Sequence, residues 1–267
     1  MISLYQETVD KEIFSLESVF CFDCHAGLSC FNLCCREATI ILSPYDILRL
    51  SCRLGLSTGE FLKRHTLRQE ESRSRLPLVL VKHARTGGCP FLGPGGCQVY
   101  EDRPAACRLF PLTQGSELTP QGVVDHYFLR RLEYCQGLAG EREWTVAAWR
   151  ADQGFDEFDR PRRPWLHLLL RQAQPERTRL DHRLLSQFYM MAYDLDGFRV
   201  FLFESAFLKA HGLTLEEALP LAFDDAALIR FSAACLEQLL FPEEAPPLNQ
   251  ALAAALAESG LEETSAS

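Results

Sequence analysis

Apolar positions along this 267-residue chain fall into two rhythms. Leu180, Leu184, Phe188 and Met191 recur at helical spacing, and Leu228, Phe231, Cys235 and Leu239 form a second stripe of the same kind. Start and stop signals mark further helices. Ser43 followed by Pro44 reads as an N-cap with proline at the first helical position, and Gly55 supplies the stop. Ser57-Thr58-Gly59-Glu60 fits a capping box that opens a short helix through Phe61 and Leu62, and Thr214-Leu215-Glu216-Glu217 fits a second. Residues 78–83 and 123–129, rich in β-branched or aromatic side chains, predict strands. Asp102-Arg103-Pro104 predicts the start of a short helix bearing Cys107 and Arg108. The expected class is α+β: a cysteine-rich region with a small sheet, followed by a mostly helical C-terminal part.

Four regions follow from this pattern. Residues 1–19 form an N-terminal lead-in, read as a strand or extended arm, and 20–140 form the cysteine-cluster metal-binding region. Residues 141–240 are a helical region packed on it. Residues 241–267, rich in Pro, Ala and Glu, read as a flexible acidic tail with one weak helical stretch at 248–256. Apolar content of 47% and charged content of 24% are those of an ordinary globular chain. The longest apolar stretches, 166–170 and 198–207, are interrupted by His, Arg, Glu or Ser, so no membrane span is expected. The first residues lack a basic segment followed by an apolar one, which predicts a cytoplasmic protein. The formal net charge of −9 argues against general nucleic-acid binding, which needs a basic footprint. Five of those charges, Glu243, Glu244, Glu258, Glu262 and Glu263, lie in the tail.

The chemistry lies in the cysteines. Ten of the eleven precede residue 140, in the pattern Cys21-x2-Cys24-x5-Cys30-x3-Cys34-Cys35, then Cys89, Cys97, Cys107 and Cys135, with Cys52 between. Disulfides are rare in a reducing cytosol and eleven is an odd number, so the thiols point to a metal or iron–sulfur centre. Cys30 and Cys34 share a face if that turn is helical, whereas the adjacent Cys34 and Cys35 diverge on a helix or strand. One tetrahedral zinc ion brings its sulfurs within roughly 4 Å of one another, which adjacent cysteines fit poorly; two centres, one larger cluster, or a structural role for one of the pair fit better. Only Cys21 and Cys24 have knuckle spacing, and no run matches a common ferredoxin pattern. Gly87-Gly88 and Gly93-Pro94-Gly95-Gly96 bracket Cys89 and Cys97, where they let the backbone turn tightly and bring N–H groups near sulfur. Arg103 and Arg108 either offset thiolate charge or pair with Glu101 and Asp102.

These residues resemble a known family. The run Cys24-His25-x4-Cys30-x3-Cys34-Cys35, then Cys89-Pro90-Phe91-Leu92, Cys97-x-Val99-Tyr100-Glu101-Asp102-Arg103-Pro104-x-x-Cys107-Arg108-x-Phe110-Pro111-Leu112, and Tyr134-Cys135-x-Gly137 are similar to the YkgJ-type cysteine-cluster family. That family is described as a zinc- or iron-chelating domain with about eight cysteines. The likeness spans roughly residues 20–140. Met191-Ala192-Tyr193-Asp194-Leu195-Asp196-Gly197-Phe198-Arg199 is similar to a stretch in some bacterial members. The resemblance implies as metal ligands Cys24, Cys30, Cys34, Cys35, Cys89, Cys97, Cys107 and Cys135, and does not require Cys21. It also implies a link to flagellin lysine N-methylase, a relative with a similar cysteine domain. No S-adenosylmethionine fingerprint accompanies it here, because Gly93-Pro94-Gly95-Gly96 does not sit at a strand-to-helix turn.

Other residues read as structural. Cys235 and Cys52 are expected in the core, as are Trp144, Trp149 and Trp165. His25, His83 and His126 are expected around a site or at the surface rather than as ligands. Asp196, before Gly197, reads as a helix cap, and Asp194 stands two residues before it. The expected cofactor is an iron–sulfur cluster in preference to zinc, since adjacent thiols and loose spacing suit a cluster better than a closed knuckle. Two function classes follow: a redox-active or catalytic centre, or a closed structural zinc site in a binding or metal-handling module. A protein-modifying enzyme related to the flagellin methylase is a third reading. No partner is identified by the sequence.

Overall fold

A computed structural model describes residues 12–85, 87–177 and 179–257. The fold is α+β. In chain order the elements begin with β1 (Val19–Cys21), α1 (Cys34–Glu37), β2 (Ile41–Leu42), α2 (Pro44–Leu54), α3 (Thr58–His65), β3 (Thr66–Glu70) and β4 (Pro77–Val81). Next come β5 (Leu92–Gly93), β6 (Gly96–Cys97), α4 (Ala105–Leu109), β7 (Leu112–Thr119), β8 (Gly122–Leu129) and β9 (Glu143–Thr145). Helices complete the chain: α5 (Val146–Asp152), α6 (Phe155–Gln172), α7 (His182–Tyr193), α8 (Leu195–Glu204), α9 (Phe207–Ala210), α10 (Leu215–Ala218), α11 (Asp225–Leu240) and α12 (Leu248–Ala257). The described residues divide into two units that alternate along the chain, one drawn from the stretches up to 42, 65–67 and 79–160, the other from 43–64, 68–78 and the stretch from 161 onward. Among the described residues no helix is long and apolar enough to cross a membrane.

The first unit is built on short antiparallel pairs. β1 lies against β9, with Phe20 opposite Trp144 and Cys21 opposite Glu143. β7 and β8 form a hairpin in register from Leu112 opposite Leu129 to Thr119 opposite Gly122. The predicted strand at 123–129 is therefore β8, while its partner β7 has no apolar alternation to announce it. The predicted strand at 78–83 is β4, buried along its whole length, and it ends at Val81, before His83. It pairs with β2 in a sheet of order β2-β4-β3. Phe20 and Phe22 meet Trp149 edge-on at centroid distances of 6.2 and 5.4 Å, and the Trp149 indole donates to the Leu109 carbonyl at 3.1 Å. That aromatic cluster anchors the chain immediately before Cys24.

The second unit is helical. Ser43 caps α2 in a complete capping box with Asp46, and Gly55 closes the helix in the left-handed region at φ 63°. Ser57 and Glu60 exchange the bonds of a capping box at α3, as Thr214 and Glu217 do at α10. The α7 stripe buries Phe188 and Met191, but Leu180 precedes the helix, whose cap is Asp181. Phe231, Leu228 and Cys235 of α11 are buried as expected. Three expectations need correction. Cys52 is exposed: α2 buries Ile47, Leu48, Leu50 and Ser51, and one residue further turns the side chain off that face. The cap of α8 is Asp194, which accepts from the Gly197 N–H at 3.1 Å, whereas Asp196 lies in the first turn and accepts from the Thr58 N–H at 2.8 Å. The stretch read as a weak helix in a flexible tail is α12, which buries Leu248, Ala251, Leu252 and Ala255 and whose Ala255 carbonyl accepts from Arg230 at 2.9 Å. Residues 1–11 of the lead-in and 258–267 of the tail lie outside the described residues.

Tyr193 is fully buried at the centre of this unit. Its hydroxyl donates to the Pro77 carbonyl at 2.8 Å and accepts from the Trp165 indole at 3.2 Å. Tyr193→Phe keeps the ring and leaves both partners unsatisfied, so it is expected to lower stability by about 1–3 kcal/mol. A urea unfolding midpoint equal to that of the parent chain would contradict this.

Candidate metal centre

The eight cysteines implied as ligands lie in the first unit, and their thiol charges act on one another in two groups joined at Cys34 and Cys35. The first begins at Cys24, just after the aromatic anchor. From His25 to Cys35 the chain runs through successive turns, with Leu28, Phe31 and Leu33 N–H groups bonding the carbonyls of His25, Leu28 and Cys30. Asn32, in the left-handed region at φ 67°, breaks this run before α1. Cys30 is buried, and the Gln136 N–H donates to its sulfur at 3.3 Å. The Gln136 side chain also bonds Ser29 at 2.8 Å, and the Asp23 N–H bonds the Gly137 carbonyl at 2.9 Å. Glycine is required on this face. A Cβ on Gly137 would meet the Phe22 ring at 2.9 Å, and one on Gly140 would meet the Asp23 Cβ at 2.7 Å. This docking brings Cys135 to Cys24, Cys30 and Cys34, whose charges act on one another.

The second group forms around Cys35. The Cys89 N–H donates to the Cys35 carbonyl at 2.9 Å. Gly87 and Gly88 make the preceding turn at φ 88° and 78°, and a Cβ on Gly88 would meet Arg36 Cα at 2.9 Å. After Cys89 the β5–β6 hairpin sets Cys97 opposite Leu92 and Gly96 opposite Gly93. A 3-10 turn at Tyr100–Asp102 leads to α4, which carries Cys107; α4 starts at Ala105, with Pro104 before its first residue rather than within it. Cys35 feels the charges of Cys107 and Cys89, and Cys89 that of Cys97.

Arg103 and Arg108 brace this segment through backbone carbonyls. Arg103 donates to the Tyr100 carbonyl at 2.7 Å and to the Gln153 side chain at 2.8 Å, and stacks on the Tyr100 ring at 3.9 Å. Arg108 donates to the carbonyls of Arg103 at 3.1 Å, Gln153 at 2.9 Å and Glu101, and lies over Phe158 at 3.8 Å. Both are buried. These carbonyl bonds stand beside the two readings offered for the arginines.

Cys34 and Cys35 open α1 and do not diverge. Their thiols hydrogen-bond each other, which the single-turn helix permits because neighbouring side chains are only about 100° apart and each can rotate. The bond from Cys35 stabilises the Cys34 anion and, against the opposing effect of burial, holds Cys34 down at about 7, with Arg130 assisting. Cys35, the donor, is pushed up by that same bond, then by burial and by the Cys34 charge. Partial burial, followed by the charges of Cys34, Cys135 and Cys30, pushes Cys24 up to about 11. Burial also raises Cys135 and Cys89, with the N–H groups of Leu138 and Gly137 opposing it at Cys135 and that of Phe91 at Cys89. Tyr134, bonded to Glu37 at 3.2 Å, is pushed up to about 12 by burial first and then by that carboxylate.

The remaining candidates lie elsewhere. Cys21 is exposed on β1, and Cys235 sits in the α11 core, where burial pushes its thiol up. His25 accepts from the Gly27 N–H at 3.2 Å, His83 bonds the Ala38 carbonyl at 3.0 Å, and His126 meets Glu117 at 2.8 Å. Trp149 and Trp165 are buried; Trp144 is half-buried and donates to the Phe22 carbonyl at 3.0 Å. Gln136, Gly140, Asn32 and Arg130 were not among the residues the sequence singled out, although Gly137 was. None of the eleven cysteines, all among the described residues, is in a disulfide. Among the described residues no group of three or more His, Cys, Asp or Glu side chains is arranged as a finished metal site. The donor set itself, soft thiols with N–H groups directed at three of the sulfurs, fits zinc, iron or an iron–sulfur cluster.

Thiolates, not thiols, react with alkylating reagents, and the thiolate fraction rises as pH passes the pKa. In the metal-free protein, Cys34 should therefore reach half its limiting rate with iodoacetamide near pH 7, and Cys24 only near pH 11. Peptide mass spectrometry across a pH series reads both. Parallel profiles for the two residues would contradict the arrangement.

Residues 23–136 match the sequence model of the CxxCxxCC family, described as "Putative zinc- or iron-chelating domain". Neither the curated proteins nor the solved structures provide a match to the chain. The matched segment begins one residue before Cys24 and ends one residue after Cys135, so it encloses both thiol groups. Residues 23–136 of this chain are thus similar to the CxxCxxCC family of zinc- or iron-chelating domains.

Proposed function

We propose that the eight thiols of Cys24, Cys30, Cys34, Cys35, Cys89, Cys97, Cys107 and Cys135 are metal ligands, and that they hold iron–sulfur in preference to zinc. The observation that carries this reading is the convergence of these eight cysteines, drawn from separate stretches of the chain, while Cys21, Cys52 and Cys235 take other positions. Zinc knuckles favour two short C-x2-4-C pairs. The one pair with two intervening residues, Cys21 and Cys24, does not act as a unit here: Cys24 faces Cys34, Cys135 and Cys30. Among the gathered thiols only Cys30 and Cys34, separated by three residues, fall within that range; the others are adjacent or separated by five or more residues, which suits a cluster. N–H groups directed at Cys30, Cys89 and Cys135 stabilise charge on sulfur, the kind of bond that sets the potential of a thiolate-bound cluster. A bound iron–sulfur cluster supplies one-electron chemistry, so this reading makes the protein redox-active.

The test is anaerobic purification of the full chain, followed by metal and sulfide analysis and an absorption spectrum. The expected result is iron with sulfide, and broad absorbance near ~400 nm that bleaches with dithionite. A colourless zinc protein would leave the chelating role and remove the iron–sulfur assignment. Cys30→Ser and Cys107→Ser are each expected to lower metal content, and Cys235→Ser to leave it unchanged. Metal retained in full by both ligand variants would refute the ligand set.

A further inference from the structure

From the way the domain is tied together we infer that it contains two four-thiolate centres, one of Cys24, Cys30, Cys34 and Cys135, the other of Cys35, Cys89, Cys97 and Cys107. The inference rests on the proposal that these cysteines are ligands, and adds how they divide. Each set has its own docking bonds. In the first, the loop carrying Cys135 is fastened to the segment carrying Cys24 and Cys30 by Asp23 to Gly137 at 2.9 Å, Gln136 to the Cys30 sulfur at 3.3 Å and Gln136 to Ser29 at 2.8 Å. In the second, the knuckle carrying Cys89 is fastened to Cys35 through the 2.9 Å backbone bond and through Gly88 lying on Arg36, while the β5–β6 hairpin extends it to Cys97. Cys107 joins this second set because Arg108, its neighbour on α4, bonds the Glu101 and Arg103 carbonyls just beyond Cys97.

Apart from the effect of Cys34 on Cys35, the largest thiol charge at Cys35, the mutual effects of the thiol charges follow the same division. Cys24 is acted on by Cys34, Cys135 and Cys30, and Cys135 by Cys30 and Cys34. Cys35 is acted on by Cys107 and Cys89, and Cys89 by Cys97. The sets meet where Cys34 and Cys35 touch. Four thiolates complete a tetrahedral ion or the outer ligands of one cubane cluster, so each set is sufficient for one centre. The Cys34–Cys35 peptide then joins two centres, with one adjacent sulfur assigned to each. This resolves the stereochemical difficulty of placing adjacent cysteines on a single ion.

Zinc alone is the probe, added to the reduced, metal-free full chain and counted by native mass spectrometry. The parent chain is expected to bind two zinc ions. Cys135→Ser and Cys97→Ser are each expected to retain one, half the parent content. The double variant Cys24→Ser/Cys135→Ser, confined to one set, should still retain one. Cys97→Ser/Cys135→Ser, which damages both sets, should retain none. A parent chain that binds a single ion overturns the division but leaves the ligand role intact, and this count needs no variant to fold. A parent chain that binds no metal overturns the ligand role as well. Loss of both ions from Cys24→Ser/Cys135→Ser, with circular dichroism unchanged, also refutes two separate sets.

Discussion

Crowding ionisable sulfur atoms is unfavourable unless the chain is held in place by something else. Each thiolate raises the pKa of its neighbours, as the charges of Cys34, Cys135 and Cys30 do at Cys24. The first unit meets this demand with backbone contact rather than covalent links. Glycines at 88, 137 and 140 let one stretch of main chain lie directly on another, and N–H groups at these junctions point to carbonyls or to sulfur itself. The aromatic cluster of Phe20, Phe22 and Trp149 supplies the apolar burial behind them. The positions of the thiols thus depend on close main-chain packing that any side chain at these glycines would obstruct.

Local signals were legible in the sequence, and long-range ones were not. The caps at Ser43, Ser57 and Thr214 and the left-handed stop at Gly55 each involve residues within one helical turn, so a short window contains their cause. β8 was visible through its β-branched and aromatic residues. β7, with Thr113, Gln114, Gly115, Ser116 and Glu117, becomes a strand because β8 lies beside it. The errors at Cys52 and Asp196 were displacements of one or two positions on a helix, enough to turn a side chain from core to solvent or to exchange a cap for a first-turn residue.

The cysteine cluster shows the same boundary. The composition and spacing of its residues were sufficient to mark a thiolate-rich domain, and the matched family segment agrees with that reading. The grouping of its members depends on bonds such as Gln136 to Cys30 and Cys89 to Cys35, which join residues 106 and 54 positions apart, as 136 − 30 and 89 − 35. No local pattern encodes such pairings. The approach of the Cys34 and Cys35 thiols lies outside the rule for regular helices and strands, because α1 is only four residues long.

The brace formed by Arg103 and Arg108 sets the second thiol group apart chemically. The bonds these guanidinium groups make to Tyr100, Arg103 and Gln153 end on carbonyl oxygens, which do not titrate in the range in which cysteines gain or lose their protons. Acid that protonates the sulfurs therefore leaves these bonds in place, and in this segment the charge state of the thiols and the brace behind them are set separately.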